Sequence, residues 1–370
     1  FSDDDGSNWN QIKTDLPQSP IYGIAIQKNF NELVLATFGR GFYILDDITL
    51  FREFSKQVQQ SDAYLFAVKK AYRFQDKSSI HSERSFVTGE NPQYGAATNY
   101  FIKDKIKDSA FIIIRDSKGD EIKKFAGTNS PGINRVYWGL DYNKLDVPSL
   151  RTRPRDKDWV KLDAVGKRQM YIWDLDMGPG LEPPLVPPGT YTVELKIGDK
   201  IFKQQVDVVK DPNTTGTIDD IKKQNEFALK LYSSVKRCFA MIDEMETMRA
   251  KLLFIVDSSN NSKTNKVEAT QLEYDLWTLE GRVHDIFQTG AREDIFRNPA
   301  KLLARFLAIQ KESATGSADF APTDQDVLVY DKLNNDLIKV EADYNILKQE
   351  IKPVPEIKIK SKLNTKKNKQ

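Results

Sequence analysis

The spacing of hydrophobic residues changes near position 211, and this change limits the fold more than any other feature of the chain. Before it, runs such as Ala110–Ile114 and Tyr191–Ile197 are rich in strand-forming residues and are separated by turn residues. After it, hydrophobic residues recur at every third or fourth position, beginning with Leu231 and Val235, which is the spacing of an amphipathic helix. The sequence therefore predicts a multidomain protein of the β plus α class.

Charge and residue types argue against several functions. Lys and Arg number 55 against 53 Asp and Glu, and the net charge of +2 gives no reason to expect nucleic-acid binding. No apolar run approaches the roughly 18 residues that cross a bilayer, so no transmembrane segment is predicted. The chain has one cysteine, Cys238, and two histidines, His81 and His284, without any Cys/His metal spacing or phosphate-binding loop. We therefore predict no catalytic residue and no cofactor. The alternative is a calcium ion bound at the first turn of the chain.

The first nine residues contain the pattern S-x-D-x-G-x-x-W, formed by Ser2, Asp4, Gly6 and Trp9. Glycine permits the positive φ of a tight hairpin, and a carboxylate caps backbone N–H groups of the turn. The tryptophan is expected to pack beneath the turn. We predict a structural role for this motif, and a calcium site built from the aspartates at positions 3–5 is the alternative.

This pattern resembles the Asp-box of sialidase-like and BNR-repeat β-propellers. Residues 37–47, TFGRGFYILDD, resemble the closing blade of sortilin-like BNR propellers, which are abundant in bacterial secreted proteins labelled glycosyl hydrolases. The resemblance implies that residues 1–50 are the last, partial blade of a propeller. It also implies an extracytoplasmic location, whether periplasmic, outer-membrane-associated or secreted. Phe38 departs from the pattern, which has His at that place.

Three residues of the closing motif are candidates for ligand binding. Arg40 lies between two glycines of a tight turn, and Asp46 and Asp47 follow the last predicted strand. For Arg40, a bridge between adjacent blades is the alternative. Asp46 and Asp47 are neighbours, so on a strand their side chains point to opposite faces and cannot form the carboxylate pair of a glycosidase.

One blade is not a stable unit. Propellers close by radial repetition, and an isolated sheet exposes both of its faces. No second Asp-box occurs in the chain. The partners expected for residues 1–50 are therefore upstream blades of the same protein.

Residues 51–78 are predicted to be a connector, and residues 79–210 an immunoglobulin-like or fibronectin III-like β-sandwich. The predicted strands are short and evenly separated by turn signals, including the hairpin turn Gly198-Asp199. Trp138 and Tyr191 are expected in the core of this sandwich.

A long insertion at 143–187 interrupts the predicted sandwich. A loop of this length is uncommon in a compact domain and is usually functional or packed on a neighbour. It carries a basic stretch at 151–155 and the aromatic residues Trp159 and Trp173, which suit carbohydrate or protein contact. Trp159 and Trp173 are therefore candidate ligand-binding residues, and docking of the loop against the propeller is the alternative.

Residues 211–352 are predicted to form an antiparallel helical bundle. Their narrow apolar stripes have charged outer faces, and the first stripe is regular except at the step that spans Arg249. Thr217 and Thr323 each precede an Asp by three positions, which resembles a capping box. Residues 353–370 are rich in lysine and are predicted to be a disordered basic tail.

Three functions of different classes follow from these features. The first is a non-catalytic part of a propeller protein that binds a polysaccharide or protein ligand or acts as a scaffold. The second is a glycoside hydrolase of the sialidase or xyloglucanase type whose catalytic carboxylates lie in upstream blades. The third is a sortilin-like receptor or sorting module. We predict the first, because this chain lacks an evident carboxylate pair.

Overall fold

The structure is a computed structural model of the 370-residue chain. It describes residues 2, 5–9, 11, 16, 18–74, 92–171, 181–258, 262–291, 293–315 and 318–351. The predicted basic tail at 353–370 lies outside these ranges. The fold is of the mixed β and α class, as predicted.

The chain forms two compact units, each assembled from separate parts of the sequence. The first unit comprises Phe1–Asn143, Pro183–Asn225 and Ala318–Ala321. The second comprises Lys144–Glu182, Glu226–Ser317 and Pro322–Gln370.

The strands of the described residues confirm the predicted β segments. They are β1 (Ile21–Gln27), β2 (Glu32–Thr37), β3 (Phe42–Leu45), β4 (Ala63–Leu65), β5 (Ala71–Arg73), β6 (Ala96–Ile102), β7 (Ala110–Arg115), β8 (Glu121–Ala126), β9 (Gly132–Trp138), β10 (Ser149–Leu150), β11 (Arg168–Gln169), β12 (Gly189–Ile197) and β13 (Lys200–Lys210).

The helices of the same ranges fill most of the predicted helical region 211–352. They are α1 (Thr49–Glu53), α2 (Lys56–Gln60), α3 (Ile218–Asp257), α4 (Lys263–Val283), α5 (Asp294–Arg297), α6 (Leu302–Gln310) and α7 (Asp324–Ile351), with a π-helical turn at Lys311–Thr315. None of these helices is long and apolar enough to cross a membrane.

The first unit contains an antiparallel three-stranded sheet, β1-β2-β3, and two further sheets that share one core. The core sheets have the strand orders β5-β13-β12-β7-β8 and β4-β6-β9. Ile112 and Leu195 enter the core from the first of them, and Tyr100 and Trp138 from the second. Tyr191 contacts Trp138 with ring centroids 5.3 Å apart, so both predicted core aromatics are confirmed.

The hairpin between β12 and β13 turns at Gly198 and Asp199, as predicted. Ile197 pairs with Lys200, which leaves a two-residue loop, and Gly198 has φ +56°. A positive φ at Gly198 but not at Asp199 is the type II′ geometry, which continues the natural twist of two antiparallel strands.

The second unit has a single core built mainly by α3, α4, α6 and α7. Leu231, Cys238 and Leu276 are fully buried in it. Leu150 and Met170 also belong to this core, although they come from the long insertion. The described part of that insertion therefore packs with the helices of its own unit.

Candidate functional site

The described residues of the Asp-box pattern at positions 2–9 include a tight turn. Gly6 has φ +88°, and its N–H donates a 2.8 Å hydrogen bond to Ser2 Oγ. The Trp9 ring lies over Gly6, 3.9 Å from the place a Cβ would occupy, and it is 75% exposed. Asp4 lies outside the described residues, as does Asp3, so the proposed calcium site is not described.

Arg40, Asp46 and Asp47 have different surroundings. Arg40 is exposed in the β2–β3 turn, and Asp46 is half-buried. Asp47 is buried and accepts hydrogen bonds from the backbone N–H and the hydroxyl of Thr49, at 3.2 and 2.5 Å. Asn99 Nδ2 also donates to it at 3.4 Å. The Asp47 carboxylate therefore fixes the start of α1, which leaves Arg40 and Asp46 as the accessible members of the set.

Trp159 is the described candidate of the insertion. It is 66% exposed, and Lys157 Nζ lies 5.3 Å from the centre of its ring. A cation over an exposed indole is a weak contact, and most of the ring remains free for a ligand. Trp173 lies outside the described residues.

The sheet β1-β2-β3 is apolar on both faces. Because paired residues of antiparallel strands share a face, the register divides its side chains into two sets. One face carries Ile24, Ile26, Leu33, Leu35, Tyr43 and Leu45. The other carries Ala25, Val34, Ala36, Phe42 and Ile44.

Neither face of this sheet is covered by the described chain. No side chain from 21 to 45 is buried, and Ile24 and Phe42, on opposite faces, are 70% and 76% exposed. Strands that are apolar on both faces are typical of sheets packed between two other layers. Both faces of the sheet are thus apolar and at least partly exposed.

The second unit contains a buried network of charged side chains centred on Arg249. Its guanidinium donates to Glu273 Oε1 from Nε at 3.0 Å, to Glu246 Oε1 from Nη1 at 3.0 Å and to Glu280 Oε2 at 2.9 Å. All four side chains are at least nine-tenths buried. One cation on α3 is therefore shared by three carboxylates from α3 and α4.

Glu246 joins the insertion to α3. Its Oε2 accepts the backbone N–H groups of Arg151 and Thr152, the latter at 2.8 Å, and its Oε1 accepts the Thr152 hydroxyl at 2.6 Å. Together with the bond from Arg249, the Glu246 carboxylate accepts four hydrogen bonds. Such saturation offsets the cost of burying a charge.

Arg155 gives the insertion a second attachment, to α4. Its Nη2 donates to Glu273 Oε2 at 2.6 Å. The guanidinium also lies 4.2 Å from the ring centre of Trp277 and 5.0 Å from that of Tyr274. Two arginines of the predicted basic stretch, Arg151 and Arg155, therefore bind carboxylates of the helices in their own unit.

His284 completes the network at the end of α4. The Tyr171 N–H donates to Gln288 Oε1 at 2.7 Å, and Gln288 Nε2 donates to the Asp285 carbonyl at 2.9 Å. This orientation directs Gln288 Nε2 at His284 Nδ1, 3.3 Å away, so Nδ1 accepts. The other nitrogen, Nε2, then donates to Glu280 at 2.6 Å.

The network shifts the pKa values of its carboxyl groups in opposite directions. Burial raises the pKa of Glu246, and the nearby charge of Glu280 adds to the rise. Burial also acts to raise the pKa of Glu280, but the hydrogen bond from His284 and the charge of Arg249 outweigh it and leave that pKa lowered. Glu280 is thus held ionised between its two donors.

The arrangement is suited to holding the unit together rather than to catalysis. The guanidinium of Arg249 occupies the centre of the carboxylates, where a metal ion would otherwise balance their charge. Within the described residues, no group of three or more His, Cys, Asp or Glu side chains is arranged to hold a metal. Cys238 is buried in the same core, and burial raises the pKa of its thiol to about 12, so it is not a nucleophile.

Glu246, Glu273 and Glu280 were not among the residues predicted from the sequence. The available signal was the interruption of the apolar stripe at Arg249, which lies between Met245 and Leu252 at helical spacing. A charged residue on a buried stripe requires buried partners of opposite charge. The pattern cannot say which carboxylates these are.

Compared with protein-family models, curated proteins and solved structures, the chain matches none of them.

Proposed function

We propose that this chain is a non-catalytic, C-terminal part of an extracytoplasmic Asp-box β-propeller protein and serves in ligand binding or scaffolding. In this proposal β1-β2-β3 belongs to the last blade of the propeller. The finer fold assignments are an immunoglobulin-like or fibronectin III-like sandwich for the two sheets that share a core, and an antiparallel bundle for the helices of the second unit.

The observation that carries the proposal is the apolar character of both faces of β1-β2-β3. A blade inside a propeller packs against a neighbouring blade on each side, so both faces need hydrophobic side chains. A sheet at the surface of a sandwich needs them on one face only. The Asp-box sequence and the exposure of both faces agree with the blade assignment.

The non-catalytic part of the proposal rests on the carboxylates. A glycosidase requires two carboxyl groups that flank the substrate, about 5–5.5 Å or about 6.5–9.5 Å apart. The Asp47 carboxylate accepts hydrogen bonds from Thr49 and Asn99. The carboxylates of Glu246, Glu273 and Glu280 are buried around Arg249. We expect the purified chain neither to release chromophore from aryl sialosides nor to cleave xyloglucan. Sustained turnover that is abolished by substitution of a carboxylate would contradict this.

The blade assignment is tested with one charged substitution on each face of the sheet, Ile24→Asp and Ile44→Asp, in the protein together with its preceding region. Burying an unpaired carboxylate between blades is expected to cost about 2–4 kcal/mol in the free energy of unfolding. Ile346→Asp is the matched control, since Ile346 is 62% exposed on α7. If both sheet variants are as stable as the control, the faces are not covered and the blade assignment fails.

The ligand is tested separately, with an array of glycans and a pull-down of secreted proteins. A propeller that binds a polysaccharide is expected to retain one class of glycan, and substitution of Arg40 by Ala is expected to reduce that binding. Retention of a protein but of no glycan favours the scaffold or the sortilin-like receptor.

A further inference from the structure

The side-chain amide of Gln288 joins His284 to Tyr171 of the insertion. Its Oε1 accepts the Tyr171 N–H at 2.7 Å, and its Nε2 donates to the Asp285 carbonyl at 2.9 Å. A backbone N–H can only donate and a backbone carbonyl can only accept, so these two bonds fix which end of the amide is oxygen and which is nitrogen. The nitrogen end, Nε2, therefore faces His284 Nδ1 at 3.3 Å.

His284 can take up a proton at one place only. Its Nε2 donates to Glu280 Oε1 at 2.6 Å, which leaves Nδ1 as the nitrogen that accepts a further proton. A protonated Nδ1 is a donor, and it would face Gln288 Nε2, which is also a donor. Two donors cannot share one hydrogen bond, so protonation of the ring requires the Gln288 amide to move.

No rotation of the amide satisfies all of its neighbours once His284 is protonated. Exchanging its two ends would direct Oε1 at His284 Nδ1, but it would also direct Nε2 at the Tyr171 N–H and Oε1 at the Asp285 carbonyl. Withdrawing the side chain would break the same two backbone bonds. In both cases Tyr171 loses its hydrogen bond to Gln288.

Charged groups lie around this site on several elements of the second unit. They are Glu246 and Arg249 of α3, Glu280 of α4, Asp285 in the loop after α4, Asp294 of α5, Arg168 of the insertion, and the more exposed pair of Arg282 and Asp343 on α4 and α7. Glu280 bonds His284 directly, and its negative charge favours the protonated ring. The guanidiniums of Arg249 and Arg168 bond Glu280 and the Gln288 carbonyl instead. Among the described groups that bond His284, the Gln288 amide is thus the one that opposes a proton.

We propose that His284 is an acid-sensitive switch: its protonation displaces the Gln288 amide and releases Tyr171 from the helical part of the second unit. Histidine is the side chain whose charge ordinarily changes between about pH 5 and 8. All of these residues belong to the second unit, so the proposal does not depend on the propeller assignment.

The release is confined to the region of Tyr171, because other parts of the insertion are attached elsewhere. The Thr152 hydroxyl donates to Glu246, and the Arg155 guanidinium donates to Glu273. Neither bond involves the histidine or the amide that faces it. We therefore expect acid to loosen one end of the insertion while the unit remains folded.

The test is amide hydrogen exchange of the whole chain, followed by NMR at about pH 7.5 and about pH 5.5 and corrected for the intrinsic exchange rate at each pH. We expect the protection of the Tyr171 N–H to fall at least about tenfold at the lower pH, because its acceptor moves away. The N–H of Leu276, a fully buried residue of α4, is the internal reference and is expected to stay protected.

Gln288→Glu separates the direction of the hydrogen bond from other effects of pH. A carboxylate accepts both from the Tyr171 N–H and from a protonated His284 Nδ1, so this variant is expected to keep Tyr171 protected at the lower pH. His284→Gln removes the titrating ring and is expected to remove the response. His81→Gln is the matched control, since His81 is the only other histidine of the chain, and it is expected to respond as the unmodified chain does.

Equal protection of Tyr171 at the two pH values in the unmodified chain overturns the proposal. A loss of protection that persists in His284→Gln or in Gln288→Glu also overturns it, and the second variant decides alone if the first does not fold. A parallel loss at Leu276 contradicts a local switch, because the whole unit then opens. Absence of the response in His81→Gln assigns it to the wrong histidine.

Discussion

Arg249 is the single cation that three buried carboxylates share, so its loss would leave all three without their common partner. It is 4% exposed at the side chain, and Glu246, Glu273 and Glu280 are 1%, 7% and 0% exposed. Removing one partner of a buried ion pair leaves an uncompensated charge, which is more costly than losing the attraction itself.

Arg249→Met is therefore expected to lower the free energy of unfolding by about 3–5 kcal/mol, measured by urea denaturation. The control is Arg282→Met, which removes an arginine of α4 whose ion pair with Asp343 is about half exposed. Exposed pairs contribute about 0–1 kcal/mol. Similar losses in the two variants would show that the buried network is not a special source of stability.

Acid sensitivity is the second property of this network. The folded-state pKa of Glu280 lies below its ordinary value of 4.5, so this group stabilises the fold above that value and the stabilisation is lost as pH falls. Glu246 has a raised pKa and acts in the opposite direction, since the folded state binds its proton more tightly.

We expect Glu280→Gln to lose less stability than the unmodified chain between about pH 6 and pH 3.5, and Glu246→Gln to lose more. The free energy of unfolding at each pH is the measurement, and the two variants serve as controls for each other. Changes of the same sign in both would contradict the opposite pKa shifts.

At the scale of elements, the starts of two long helices follow directly from local sequence. The Thr217 hydroxyl accepts the N–H of Asp220 at 3.0 Å, and the Asp220 carboxylate accepts from Thr217 in return. Thr323 and Asp326 repeat these bonds before α7. Both capping boxes were predictable because every donor and acceptor lies within four residues.

The hairpin at Gly198 also follows from local sequence, because its turn needs a residue at positive φ. An alanine there would have to adopt φ +56°, and its Cβ would lie 2.9 Å from Asp108 Oδ2. We expect Gly198→Ala to cost about 1–2 kcal/mol in the free energy of unfolding.

Gly189→Ala, at the start of the β12 strand that leads into this turn, is the control for that substitution. Its φ is not positive, and an added Cβ meets only Tyr191 at an ordinary distance of 3.8 Å. A change within about 0.5 kcal/mol is expected there. Equal effects at the two positions would mean that the turn does not require glycine.

At the scale of the whole molecule, the second unit includes Lys144–Glu182, far in sequence from its helices. This segment supplies Leu150 and Met170 to the core and Thr152 and Arg155 to the buried carboxylates. A fragment that begins at residue 211 contains helices α3 to α7 but leaves those carboxylates without these donors.

We expect the fragment 211–351 to be helical without a cooperative urea transition, measured by circular dichroism. Joining residues 144–182 to it through a flexible Gly/Ser linker is expected to restore a sharp transition. The same fragment joined to the linker alone is the control. A sharp transition in the bare fragment would show that the helices fold without the insertion.

The main strand and helix segments, the Gly198 turn and the two capping boxes could be predicted from the sequence, because periodicity, positive φ and cap bonds involve neighbours in the chain. The partners of Arg249 and the packing of the insertion depend on contacts between distant parts of the chain. Thr152 and Glu246 are 94 positions apart, and Arg155 and Glu273 are 118 apart. No local pattern selects such pairs, since a basic stretch in a long loop has the same sequence whether it faces solvent or a buried carboxylate.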